Sequence, residues 1–148
     1  MRSLWIVSAF VVSALFAQTA SAAEVVVEML NRDKGANLSN LFKPGFVKVN
    51  AGDTVKWVAT NPGHNVAFVA GGVPAGVALF TSGFTKEIKF TFVKPGLYLY
   101  KCTPHFGMGM VGLVRVGNDK SNLAAVKAAY MPPLSKKRLE PLLVEAAK

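Results

Sequence analysis

The sequence holds a single cysteine, Cys102, and two histidines, His64 and His105, in 148 residues. One cysteine excludes an internal disulfide. Two histidines exclude an enzyme with paired metal centres, because a second centre would need imidazoles that neither this chain nor another copy of it can supply. Acidic residues are also few: 8 Asp and Glu stand against 17 Lys and Arg, a formal net charge of +9. That excess draws the chain toward acidic partners. The basic residues are spread along the sequence, without a dense run or a recognisable binding module, which argues against nucleic acid.

Long apolar runs are absent but for one. Residues 4–16 form a mostly apolar stretch of 13 residues, short of the ~20 that a membrane-crossing helix needs. Met1-Arg2-Ser3 precedes it, and Ala20-Ser21-Ala22 ends the segment with the small-x-small pattern of a cleavage site. Residues 1–22 therefore read as an export signal cut after Ala22 rather than as a retained anchor. The mature chain, residues 23–148, has 148 − 22 = 126 residues and a net charge of +8, since Arg2 is the only charge removed. It is one domain, large enough for a core without disulfides. In an oxidising compartment a free thiol is a liability, so Cys102 should be either sealed in the core or held by something bound to its sulfur.

Residues 23–117 read as β-structure. Strands are expected at 24–30, 46–49, 54–58, 64–69, 85–93, 97–101 and 111–116, from β-branched composition and apolar alternation. Turn residues such as Gly52-Asp53, Pro62-Gly63 and Pro95-Gly96 separate them. Residues 70–84, rich in Gly and small side chains, read as a long loop. Short strands at this spacing predict a mainly β fold, a Greek-key sandwich of two sheets. After Gly117 the character changes to two C-terminal helices within 119–148. The first is expected at 122–131, capped by Ser121 or Asp119 and stopped by Pro132-Pro133. The second is expected at 136–147, opened by Ser135, with Leu139, Leu142 and Leu143 on one face. Pro141 should kink or restart it.

The chemistry concentrates in Cys102-Thr103-Pro104-His105-Phe106-Gly107-Met108-Gly109-Met110, a Cys-x2-His-x4-Met pattern between two strands. A thiolate, an imidazole and a thioether are the soft and borderline donors that suit copper in both oxidation states. Taken singly, each methionine is an ordinary packing residue and His64 an ordinary turn histidine. Together the donors account for the free thiol, and His64 is the one histidine left to complete a His2Cys set. Zinc is the weaker fit, since thioether is a poor zinc ligand. The residues alone leave Met108 and Met110 both open as the fourth, weak ligand.

At this point the chain resembles the cupredoxins, and within them the pseudoazurins, over essentially all of residues 23–148. The resemblance is carried by Met29-Leu30-Asn31, Gly52-Asp53-Thr54-Val55, Gly63-His64-Asn65-Val66, Lys101-Cys102-Thr103-Pro104-His105 and Gly107-Met108-Gly109-Met110-Val111-Gly112. Plastocyanins share the Cys-x2-His-x4-Met spacing; the wording of that loop and the helical tail select the pseudoazurins. The resemblance implies one copper per chain on His64, Cys102, His105 and Met110, cycling between Cu(I) and Cu(II), with Met108 beside the site. Three departures fall near the expected partner surface. Pro62 stands where a lysine is common, Ala67 where an acidic residue is usual, and residues 70–84 are more apolar than expected.

Around the metal, the backbone N–H of Asn65 is expected to donate to the Cys102 sulfur while its side chain ties the two ligand loops together. Pro104 has no N–H, so the second donor its loop could aim at the sulfur should be missing. His105 is the expected electron port, set in a small apolar patch with Met108. Lys101 leads a basic rim that also draws on Arg32, Lys34 and Lys86. The function implied is a periplasmic, monomeric carrier of single electrons and not an enzyme. Its implied partners are a denitrification reductase such as copper nitrite reductase and, as another, a c-type cytochrome. A periplasmic copper carrier or store is the alternative, which should show an exposed, exchangeable site.

Overall fold

A computed structural model of the chain describes residues 21–148. The expected export signal lies outside the described residues except for its last two. Eight strands form two four-stranded sheets. The first has the order β2-β1-β4-β6, with β1 Glu24–Asp33, β2 Leu38–Lys43, β4 Thr54–Val58 and β6 Ile88–Thr91. The second has the order β3-β8-β7-β5, with β3 Phe46–Val49, β5 Ala67–Phe68, β7 Gly96–Lys101 and β8 Val111–Val116. Parallel pairs join β1 to β4 and β3 to β8, and every other pairing is antiparallel. The chain changes sheet at each connection from β2 to β7, which gives the crossed, two-sheet sandwich expected. Helices α1 (Leu123–Ala128) and α2 (Pro133–Ala147) follow.

The two sheets are built on different sequence patterns. In β4 the side chains alternate, with Val55 and Trp57 buried and Thr54, Lys56 and Val58 partly exposed, as one wet face requires. Strands β7 and β8 are buried almost throughout because the second sheet is covered on both sides. Tyr98 and Tyr100 point into the sandwich with Trp57 and Phe92. Leu97, Leu99 and Leu113 point the other way and pack with Val126 and Leu139 of the helices. Each fully buried Leu of that second layer contributes about 1.5–3 kcal/mol. Tyr100 lies so close over its neighbour on β8 that a Cβ at Gly112 would sit 2.2 Å from its ring, so only glycine fits there.

Several boundaries differ from the sequence expectation. The strand β2 was not anticipated; it pairs with β1, placing Phe42 opposite Met29. The run at 64–69 shortens to β5, because Val66 turns to the loop instead. Its N–H donates to Ser82 Oγ and its carbonyl accepts from the Ser82 N–H, both at 2.9 Å. Strand β6 starts at Ile88 because Thr85 takes a left-handed φ of 56°. Neither Ser121 nor Asp119 caps α1; Asp119 accepts the Ser121 N–H, and Asn122 spends its side-chain amide on both backbone groups of Leu97. Helix α2 begins at Pro133, where a missing N–H costs nothing, and continues through Pro141 as one element. Pro141 forfeits one backbone bond, but Leu139 and Ala146 are buried on either side of it and hold the helix down.

Candidate metal centre

Cys102 directly follows β7 and Met110 directly precedes β8, so the connection between these paired strands carries both. The Cys102 N–H donates to the Met110 carbonyl at 3.0 Å and closes the loop. Inside it Phe106–Met108 form one 3-10 turn, and the His105 carbonyl accepts from the N–H groups of Met108 and Met110 at 3.0 and 3.1 Å. His64 arrives from the other sheet through the turn after β4. The Thr85 N–H donates to its carbonyl at 2.9 Å, and the Gly63 N–H donates to Thr85 Oγ1 at 3.0 Å.

These two loops meet at one end of the sandwich. His64 Nδ1 and His105 Nδ1 stand 3.1 Å apart, and the Cys102 sulfur lies 3.7 Å from the first and 3.5 Å from the second. The point equidistant from the three lies about 2 Å from each, close to ordinary metal bonds of about 2.0–2.1 Å to nitrogen and about 2.3 Å to thiolate. The far nitrogen of His64, Nε2, is 2.8 Å from Asn31 Oδ1. An amide oxygen can only accept, so Nε2 carries the proton and Nδ1 presents a lone pair to the cluster. Burial, and then the neighbouring His105, hold the His64 imidazole below its usual pKa, which keeps that lone pair free. The donor set therefore fits a metal ion.

Burial pushes the Cys102 thiol up, while the backbone N–H groups of Asn65 and His105 act on the sulfur in the opposite sense. A buried thiol with a raised pKa gives up its proton when a cation sits beside it. The Asn65 side chain spans the two ligand loops: its Oδ1 accepts the Thr103 N–H at 2.7 Å and its Nδ2 donates to Thr103 Oγ1 at 3.1 Å. Pro104 is exposed.

The two methionines part company. Met110 is fully buried in the core cluster that also contains Cys102. Met108 is 51 % exposed, and its sulfur accepts a weak bond from Asn40 Nδ2 at 3.5 Å. His105 is half-buried, whereas His64 is sealed. Lys101 lays its ammonium over the Phe106 ring, 4.4 Å from the centroid. Arg32, Lys34 and Lys86 are exposed, and none of the three is ion-paired among the described residues.

Sequence reasoning missed Asn31, Thr103, Ser135 and Arg138. Asn31 could have been found: it follows Val27 and Met29 at the period of two in β1, and although it is exposed itself, that phase lets its side chain reach the buried His64 ring. Ser135 and Arg138 lie three residues apart on α2 and reach the ligand loop at the Phe106 and Gly109 carbonyls.

The profile of the copper binding proteins, plastocyanin/azurin family, matches residues 27–117. The chain is 44 % identical over 124 residues to a pseudoazurin of Paracoccus pantotrophus, covering 84 % of each. It is 40 % identical over 126 residues to a pseudoazurin of Methylorubrum extorquens, covering 85 % of this chain and 84 % of that one. Among solved structures it is similar to native pseudoazurin from Hyphomicrobium denitrificans, at 48 % identity and a TM-score of 0.77. That match covers 82 % of this chain and 97 % of the other. The chain belongs to the plastocyanin/azurin family of copper proteins and, within it, to the pseudoazurins, which are electron carriers and not enzymes.

Proposed function

We propose that this pseudoazurin-family chain holds one copper ion on His64, Cys102, His105 and Met110, and passes single electrons in the periplasm to a denitrification reductase such as copper nitrite reductase. The observation that carries this reading is the convergence of three donors around one point, with the His64 tautomer fixed by Asn31. Copper bound there supplies a one-electron couple between Cu(I) and Cu(II). Met110 is the better fourth ligand because it is buried beside Cys102, whereas Met108 faces solvent and Asn40.

The residues of the site divide the work. His64, Asn65 and Cys102 are at most 1 % exposed, so they hold a fixed, dry donor set that need not reorganise when the charge changes. His105 is the only one of the three donors in the cluster with partial exposure, which makes it the exit for the electron. Around it Pro62, Gly63, Pro104, Gly107 and Met108 are exposed and small or apolar, a surface that a partner can desolvate cheaply. Lys101 and the exposed Arg32, Lys34 and Lys86 would steer an acidic partner, such as a reductase or a c-type cytochrome, to that surface. No helix of the described residues is long and apolar enough to cross a membrane. We infer a monomer, exported by residues 1–22. A copper carrier or store would need an exchangeable site, and the burial of His64 and Cys102 weighs against it.

The test is optical. The processed chain with Cu(II) should show an intense visible thiolate-to-copper band that bleaches reversibly on reduction. A colourless complex, or colour that survives Cys102→Ala, would sink the reading.

A further inference from the structure

Arg138 projects from α2 toward the ligand loop. Its Nη1 donates to the carbonyls of Ser39 and Asn40 on β2, each at 2.9 Å, and lies 3.5 Å from the carbonyl of Gly109. Among the described residues no carboxylate pairs with it, so main-chain oxygens are what receive its charge. One helical turn earlier, Ser135 donates its hydroxyl to the Phe106 carbonyl. Residues three apart share a helix face, and here that face touches the 3-10 turn of the loop at both of its ends.

Gly109 shows how closely the arginine stem is applied. Its φ is +87°, and a Cβ there would stand 2.7 Å from Arg138 Cδ and 2.9 Å from Nε. The stem therefore lies flat on the backbone one residue before Met110. On its other side Arg138 grips Asn40, a left-handed residue (φ 50°) whose side chain donates to Met108 Sδ. Strand β2, the loop and the C-terminal helix are thus pinned together at one guanidinium. Its planar fork can serve several carbonyls at once, which a lysine ammonium on a flexible stem does less well.

We propose that Arg138 is a positioning residue for the metal centre, fixing from α2 the backbone of the loop that carries His105 and Met110 and hence the contact Met110 makes with the metal. The inference rests on the copper-carrier reading above. A thioether would be the weakest of the four copper ligands, so its contact would be the one most readily altered by a small backbone shift. A residue that merely stabilised the fold would change the melting of the metal-free protein and leave the electronic structure of the centre as it was.

The experiment compares the processed, copper-loaded protein with Arg138→Met, which keeps an apolar stem, and Arg138→Lys, which keeps the charge. Four readouts are taken: the ratio of the thiolate-to-copper absorption bands, the reduction potential, the copper dissociation constant by competition, and the thermal midpoint of the metal-free protein. Arg138→Met is expected to change the band ratio, move the potential and raise the copper dissociation constant by roughly tenfold or more, with Arg138→Lys intermediate. If both variants melt earlier but keep the wild-type spectrum and potential, the inference is overturned. Should Arg138→Met fail to fold, Arg138→Lys decides by the same spectrum and potential. Absence of the band in the wild-type protein overturns the copper-carrier reading and this inference with it. Its presence there alongside unchanged variant spectra overturns this inference alone.

Discussion

His64 and His105 bring their Nδ1 atoms to within 3.1 Å of each other, yet different parts of the molecule hold them. His64 is fully buried. Its ring is fixed by Asn31 at the end of β1, and its backbone by Thr85 ahead of β6, so the first sheet is its frame. His105 is half-buried in a loop whose Thr103, Pro104, Gly107 and Met108 are all exposed. From outside, that loop is braced by Ser135 and Arg138 of α2 and by Asn40 of β2, which donates to Met108 Sδ. The centre thus has a sealed half and an open half. The sealed half would keep the donor geometry constant, and the open half would offer His105 as the route by which an electron leaves.

The largest test of that division removes each imidazole in turn. His64→Gly and His105→Gly should both lose the visible band. Free imidazole added from solution should restore the band in His105→Gly, where the vacated space opens to solvent, and fail in His64→Gly. Equal rescue of both by absorption titration would show that the two halves are not differently sealed.

A smaller effect is expected one step out from the sealed half. Asn31→Ala removes the acceptor of the His64 Nε2 proton; because Asn31 is exposed, water can take its place, and the cost should be about 0.5–1.5 kcal/mol in urea unfolding of the metal-free protein. Freed to change tautomer, His64 should also bind copper roughly 10- to 100-fold more weakly. An unchanged copper affinity in a competition assay would mean that the frame, and not Asn31, selects the tautomer.

The smallest change separates the two methionines. Met110→Gln replaces a buried thioether with a stronger oxygen donor, which favours Cu(II) and should lower the reduction potential with copper retained. Met108→Gln, on the exposed side, should leave the potential where it was. The reverse result by voltammetry would make Met108 the fourth ligand and place that contact in the open half.

Much of this centre was legible because its donors are close in sequence. Cys102, His105 and Met110 fall within one nine-residue segment, and scarcity did the rest, since His64 had no rival. The sandwich was legible from alternation in β4 and from the continuous apolar runs of β7 and β8. Strand β2 was not, because Leu38-Ser39-Asn40-Leu41-Phe42-Lys43 has no clear period of two and contains a left-handed asparagine. Arg138 was hidden for a different reason. Its partners Ser39 and Asn40 are 99 and 98 residues away, and helical periodicity reveals only the apolar stripe beside it. Pro141 was legible only in part: of the kink or restart it allows, the restart does not occur, because packing of α2 on the second sheet outweighs one lost hydrogen bond.

What the sequence determined by itself is the chemistry of the donors, because the softness of a thiolate, an imidazole or a thioether belongs to the atoms and survives any fold. It also determined that only one such set could be assembled. Tertiary structure decided which nitrogen of His64 faces the cluster, which methionine is buried in the core with Cys102, and which histidine remains partly exposed. Those are matters of distance and exposure, set by residues from β1, β2 and α2 that meet the ligand loops only once the two sheets have closed and the helix has docked on them.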